Sequence, residues 1–175
     1  MSGAQQSLEH RWIFSSRYIP AEIDRAKLRF TLTYRLHPRI TAGVEYNPLA
    51  DDVHPLANIL VLDETRKRPA VIIGTSTDRI GTPGGQAYYV TLSKNLKRET
   101  RLPIAPYVGM MYGTFEDRFR PVAGLNVGFT ERLTALATFD GVHVHQLVNY
   151  NYKQHVFSFL LVRGRDPGVS YSITF

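Results

Sequence analysis

His143 and His145 follow Asp140 in the stretch Asp140-Gly141-Val142-His143-Val144-His145. Strand geometry puts both imidazoles on one face, about 7 Å apart. That spacing can serve a metal, but a site needs a third and a fourth ligand, and the sequence identifies neither, so no metal site is expected. Two histidines lining a lumen, or standing on a surface beside a turn, is the reading retained. Ser158, His155 and Asp140 supply the residue types of a lipid hydrolase or acyltransferase. They come without a nucleophile elbow or a recognisable spacing, so no catalytic residue, no cofactor and no enzymatic activity are expected. Gly81-Thr82-Pro83-Gly84-Gly85 lacks the Gly-Lys-Ser/Thr ending of a phosphate cradle and reads as a loop. Cysteine is absent, which excludes disulfides, thiolate metal sites and cysteine nucleophiles.

Charge is the more informative chemistry. Lys27, Arg29, Arg35 and Arg39 share the polar face of neighbouring strands with Glu45. If that face lines a lumen, these residues form either an anion-favouring constriction or an ion-pair network that plugs a narrow barrel. His143 and His145 join them as candidates for the ion path. The net charge of +6 favours small anions and phosphate-bearing partners in general. The basic turns Arg66-Lys67-Arg68 and Lys97-Arg98, with Arg101, read as solvated turns or as turns at a lipid headgroup layer. Nucleic acid is not expected as a partner, because single-strand-binding barrels place aromatics on a five-stranded platform and this chain has about twice that many strands.

The elements that must position these side chains follow from a period of two. The 175 residues are enough for one domain with a sizeable core, and the content of 43% hydrophobic and 21% charged residues excludes a disordered tail. From Leu28 to Leu36 the apolar residues Leu28, Phe30, Leu32, Tyr34 and Leu36 alternate with Arg29, Thr31, Thr33 and Arg35. The rhythm restarts after His37-Pro38 with Ile40, Ala42, Val44 and Tyr46. Further strands are expected over 59–65, 69–77, 87–96, 103–113, 121–130, 133–139, 142–152, 154–163 and 168–175, and one around His10 to Ile19. Loops are expected over 47–58 and 78–86, and Pro20 to Ala26 is the single candidate helix. No apolar run is long enough for a transmembrane helix. A meander this long manages its edges by closing, so the expected fold is an all-β, antiparallel up-and-down barrel of about ten to twelve strands. Residues 1–26 form an N-terminal segment with a first strand and a short helix, and 27–175 form the barrel, one domain overall.

Which way the apolar face points decides the class of protein. The polar partners in the alternation are mainly small: Thr31, Thr33, Thr41, Gly43, Thr91, Ser93, Gly109, Gly113, Ser170, Ser172 and Thr174. Such residues suit a packed or water-filled lumen better than a surface in bulk water. Tyr34, Tyr46, Tyr88, Tyr112, Tyr150 and Tyr152 fall towards strand ends, where aromatic girdles meet the two faces of a membrane. The competing class is a soluble barrel or sandwich that turns Leu28, Phe30, Leu32, Val44 and Phe157 inward around an apolar ligand, or that binds a protein partner.

The segment Asp166-Pro167-Gly168-Val169-Ser170-Tyr171-Ser172-Ile173-Thr174-Phe175 bears on that choice. Asp166, Gly168, Tyr171, Ile173 and Phe175 fill a pattern of polar, glycine, aromatic, hydrophobic and terminal aromatic residues. This resembles the C-terminal assembly signal of Gram-negative outer-membrane β-barrel proteins. The resemblance implies a transmembrane barrel of the bacterial outer membrane, with outer-membrane lipid around it and the barrel assembly machinery as its partner during biogenesis. Its role would be structural, or that of a narrow, anion-preferring, porin-like channel. Residues 1–9 carry no secretory signal, so export rests on the resemblance. The basic charge and short loops depart from the family habit.

Overall fold

The computed structural model describes residues 11–175; the expectations for residues 1–10 lie outside them. Twelve strands form one closed antiparallel barrel. In chain order the elements are β1 (Trp12–Tyr18), α1 (Asp24–Lys27), β2 (Leu28–His37), β3 (Ile40–Asn47), β4 (Asp52–Leu62), β5 (Ala70–Thr77), β6 (Gln86–Ser93), α2 (Lys97–Thr100), β7 (Ile104–Gly113), β8 (Arg118–Gly128), β9 (Leu133–Phe139), β10 (Val144–Tyr152), β11 (His155–Val162) and β12 (Asp166–Thr174). Each strand pairs with its neighbours in sequence, and β1 closes the ring on β12 with Phe14 opposite Ile173 and Arg17 opposite Ser170. Closure leaves no edge strand among these elements.

Two readings of the sequence are corrected here. Residues 47–58 are not one loop: only 48–51 turn, and β4 begins at Asp52. The prolines hid this strand, yet Pro55 is accommodated because β4 pairs with β5 only from Ala57 onward. Pro55 pairs with Val44 of β3, and on its β5 side there is no ladder for an N–H to join. A second helical turn, α2, also stands between β6 and β7, closed by Arg101 in the left-handed region (φ 60°).

The alternation translates directly into two faces. Leu32, Val44, Val53, Ile73, Val90, Val108, Met110, Val148, Phe157, Phe159 and Val169 are all exposed on the outside. Register carries that face around the wall, as in the outward row Ile59, Ile73, Val90, Met110 and Pro121. Among the described strands no outward position carries Lys, Arg, Asp or Glu. The inward face holds the small polar residues and the charges. Gly109 and Gly43 are inward positions with no room for a side chain: a Cβ would lie 2.1 Å from the Val90 and Leu32 carbonyl oxygens respectively. Gly124 leaves the space that the Tyr107 ring occupies.

The apolar core is correspondingly small and sits at one end. Ile19, Ala21 and Ala26, from the segment around α1, bury themselves against Leu160 and Val162 of β11, with Ile80 and Leu147 packed alongside. This end, carrying α1 and loops 48–51, 78–85, 114–117, 140–143 and 163–165, is called the α1 end below. The opposite end carries α2.

Candidate functional site

The α1 end is stoppered. Ile19 and its neighbours lean on β11, while Arg25 reaches the loop between β5 and β6. In a ring of twelve strands β11 and β5 are diametrically opposed, so the α1 segment spans the opening. Arg25 Nε donates to the Thr82 carbonyl at 2.9 Å, and its Nη2 donates to the carbonyls of Asp78 (3.2 Å) and Arg79 (2.7 Å) and to Thr82 Oγ1 (2.9 Å). A buried guanidinium is expensive unless its donors are satisfied, and here the loop carbonyls satisfy them. Gly81 (φ 117°) and Gly85 (φ 101°) permit the loop path that presents those carbonyls.

The rim of this end is tied by ion pairs. Glu116 lies between Arg79 (2.5 Å) and Arg120 (2.6 Å). Hydrogen bonds from Arg79, then Arg120, hold its carboxyl down at about 2. Asp140 accepts from His145 Nε2 (2.8 Å) and from the backbone N–H groups of His143 (2.7 Å) and Val142 (2.9 Å). Burial pushes its carboxyl up, but these donors outweigh burial and leave it lowered. His145 Nδ1 accepts from the Arg163 N–H at 3.3 Å, so His145 links loops 140–143 and 163–165.

The lumen below the stopper holds a charged cluster. Arg29 Nη1 pairs with Glu45 Oε2 at 3.4 Å. Glu45, only 1% exposed, also accepts at Oε1 from Thr77 Oγ1 (2.9 Å) and Asn47 Nδ2 (3.2 Å). Arg17 lies across the wall from Arg29 and is buried. His54 bridges Asp52 (2.6 Å) and Gln86 (2.9 Å) nearby. Towards the α2 end the barrel opens into a cavity of about 810 Å³ lined by Arg35, Arg39, Arg66, Lys97, Arg98 and, opposite in sign, Asp63, Glu64 and Glu99. Arg39 pairs with Asp63 at its rim.

The expected lumen residues are therefore dispersed. Arg29 and Glu45 form one pair, Arg35 lines the open cavity, and Arg39 belongs to the turn between β2 and β3. Lys27 is not on a strand face, because it ends α1 and pairs with Asp24 at 2.8 Å. His143 and His145 sit at the stoppered end. Among the described residues no three His, Asp or Glu side chains converge on a metal position. Ser158, His155 and Asp140 are not brought together: His155 bonds the Tyr171 hydroxyl (2.8 Å) on the outside at the α2 end, Ser158 faces inward, and Asp140 is at the α1 end. Asp166, Gly168, Tyr171 and Ile173 lie on β12, with Phe175 just beyond it hydrogen-bonded to Trp12.

The tyrosines share the outer face. Tyr46, Tyr88 and Tyr112 lie near the α1 end, and Tyr34, Tyr150 and Tyr152 near the α2 end. Trp12 packs on Tyr34 with ring centroids 4.7 Å apart, and Phe119 on Tyr112 at 5.1 Å. A shallow apolar groove of about 710 Å³ crosses the outer wall over Phe30, Tyr150, Phe157, Phe159 and Tyr171.

Sequence reasoning missed Arg17, Arg25, Asn47 and Thr77. Arg17 carried a signal, since it occupies the polar parity between Trp12, Phe14 and Tyr18. Arg25 carried none, because its role depends on a loop more than fifty residues away. In comparisons with known proteins, no family model and no curated protein matches this chain.

Proposed function

We propose that this chain is an outer-membrane β-barrel protein of a Gram-negative bacterium, non-catalytic, whose lumen is closed at rest by the α1 segment. The observation that carries this reading is the outer wall: it exposes large apolar residues on every strand but β9, whose outward Leu133 and Phe139 are half-buried, and places no Lys, Arg, Asp or Glu at an outward strand position. In water such a surface drives aggregation, whereas in lipid it is the ordinary solvation of a spanning barrel. β2, β4, β7, β8, β10 and β12, of 9 to 11 residues, match the roughly 9–11 that a tilted spanning strand requires, and the other strands are one or two residues shorter. Leu32, Val44 and Phe157, which a soluble ligand-binding barrel would need inside, are exposed on the outside. Outer-membrane lipid is then its surroundings, and the β12 segment is the part the barrel assembly machinery would read.

Refolding from urea with and without detergent micelles, followed by unboiled and boiled samples on an SDS gel, tests the proposal. A compact, faster band that needs detergent and disappears on boiling is expected. Folding in buffer alone would refute it.

The anion-preferring channel is favoured by one observation, the five basic against three acidic side chains around the α2-end cavity. The α1 stopper opposes steady conduction, so this function requires the stopper to move. Planar-bilayer recording distinguishes the two: silence in the native chain and current in a variant freed of the Arg25 bonds support a gated path, and silence in both leaves the structural role.

A further inference from the structure

We infer that the lumen binds one small monovalent inorganic anion, of the size and charge of chloride, between Arg17 and the serines beside it. Arg17 is 8% exposed, and its Nε is buried without a hydrogen-bond partner. The charges that act on it are Arg29, Glu45 and Arg25. Arg25 has Asp52 and Asp78 as further counter-charges and donates to the 78–82 loop. Glu45 has its Oε2 engaged by Arg29 and its Oε1 by Thr77 and Asn47. Arg17 and Arg29 therefore share one carboxylate, an excess of one positive charge inside an enclosed wall.

Taking a guanidinium out of water without a counter-ion costs several kcal/mol, and among the described residues no second carboxylate acts on Arg17. What the chain supplies instead is a row of donors. Register places Arg29 opposite Arg17, Arg17 opposite Ser170, Ser170 opposite Ser158 and Ser158 opposite Asn149, all on the inward parity of their strands. A guanidinium with hydroxyl donors on the neighbouring strands is the chemistry of an anion site. One positive charge in excess selects a monovalent ion. The inference rests on the lumen and holds whether lipid or water meets the outer wall.

The refolded full chain is heated in chloride and, at equal ionic strength, in gluconate, an anion too large for the row. Chloride is expected to raise the melting temperature progressively with its concentration, the sign of a ligand that binds only the folded state. Arg17→Gln is expected to weaken that apparent affinity by about tenfold or more, while Arg165→Gln in the exposed turn 163–165 leaves it unchanged. An equal chloride response in Arg17→Gln, or none in the native chain, overturns the proposal. Should Arg17→Gln not refold, chloride-35 NMR on the native chain decides: excess line broadening that bromide competes away supports the site, and its absence refutes it.

Discussion

Val90 lies in the middle of β6, outward and 41% exposed, with Ile73 and Met110 opposite it on the two neighbouring strands. Replacing it with arginine separates a wall in lipid from a wall in water. On the lipid face near the bilayer midplane an arginine costs about 2–4 kcal/mol, falling to about 0–1 near the interfaces. On a water-exposed surface the same change stays within about 0.5 kcal/mol. The first range corresponds to a loss of roughly 30- to 800-fold in the folding equilibrium. Trp12, the single tryptophan, stands on the outer face at the α2 end and reports folding through its fluorescence in a urea titration with lipid vesicles. Glu131→Arg, in the exposed turn between β8 and β9, controls for added charge and should leave the midpoint unmoved. A Val90→Arg midpoint equal to that control would refute the lipid-facing assignment.

Other perturbations probe the interior and the rim. Arg25→Ala removes four hydrogen bonds and leaves loop carbonyls without donors, so the barrel should lose about 2–3 kcal/mol and begin to pass current in planar bilayers. In that opened variant Arg35→Glu at the cavity wall should reverse the preference for anions. Gly109→Val forces a side chain against the Val90 carbonyl and should cost about 1–3 kcal/mol or prevent closure, seen as loss of the heat-modifiable band. Gly84→Val, with nothing within 4 Å, should be silent. Glu116 titrates at about 2 in the fold against an ordinary value of 4.5, so its stabilisation is complete above the higher value and is lost as pH falls towards the lower. Glu116→Gln should flatten that part of an acid-unfolding curve.

The wall of the barrel was legible because a period of two leaves a mark at every residue. The run from Leu28 to Tyr46 fixes two strands and a turn, and the same rhythm continues to Ile173. Where proline interrupts the rhythm, as at Pro55, reading fails, since whether the missing N–H matters depends on which neighbour runs alongside. The direction of the apolar face was inferable from its small polar partners, though only the closed structure turns parity into inside and outside. The stopper was not legible. Asp24 to Lys27 announces a short helix, but nothing in four residues says that it folds across the barrel to a loop on the far wall. For Arg17 the inward parity was legible but the surroundings were not, since its neighbours Arg29 and Ser170 come from opposite ends of the chain.

The most direct measurement uses the absence of cysteine. Single cysteines placed in turn at residues 87 to 92 of β6, each carrying a small fluorophore, are folded into vesicles containing spin-labelled lipid. Quenching is expected at Tyr88, Val90 and Leu92 and not at Ala87, Tyr89 and Thr91. Quenching in the opposite phase, or equal at all six positions, would contradict a barrel that turns its apolar wall to lipid.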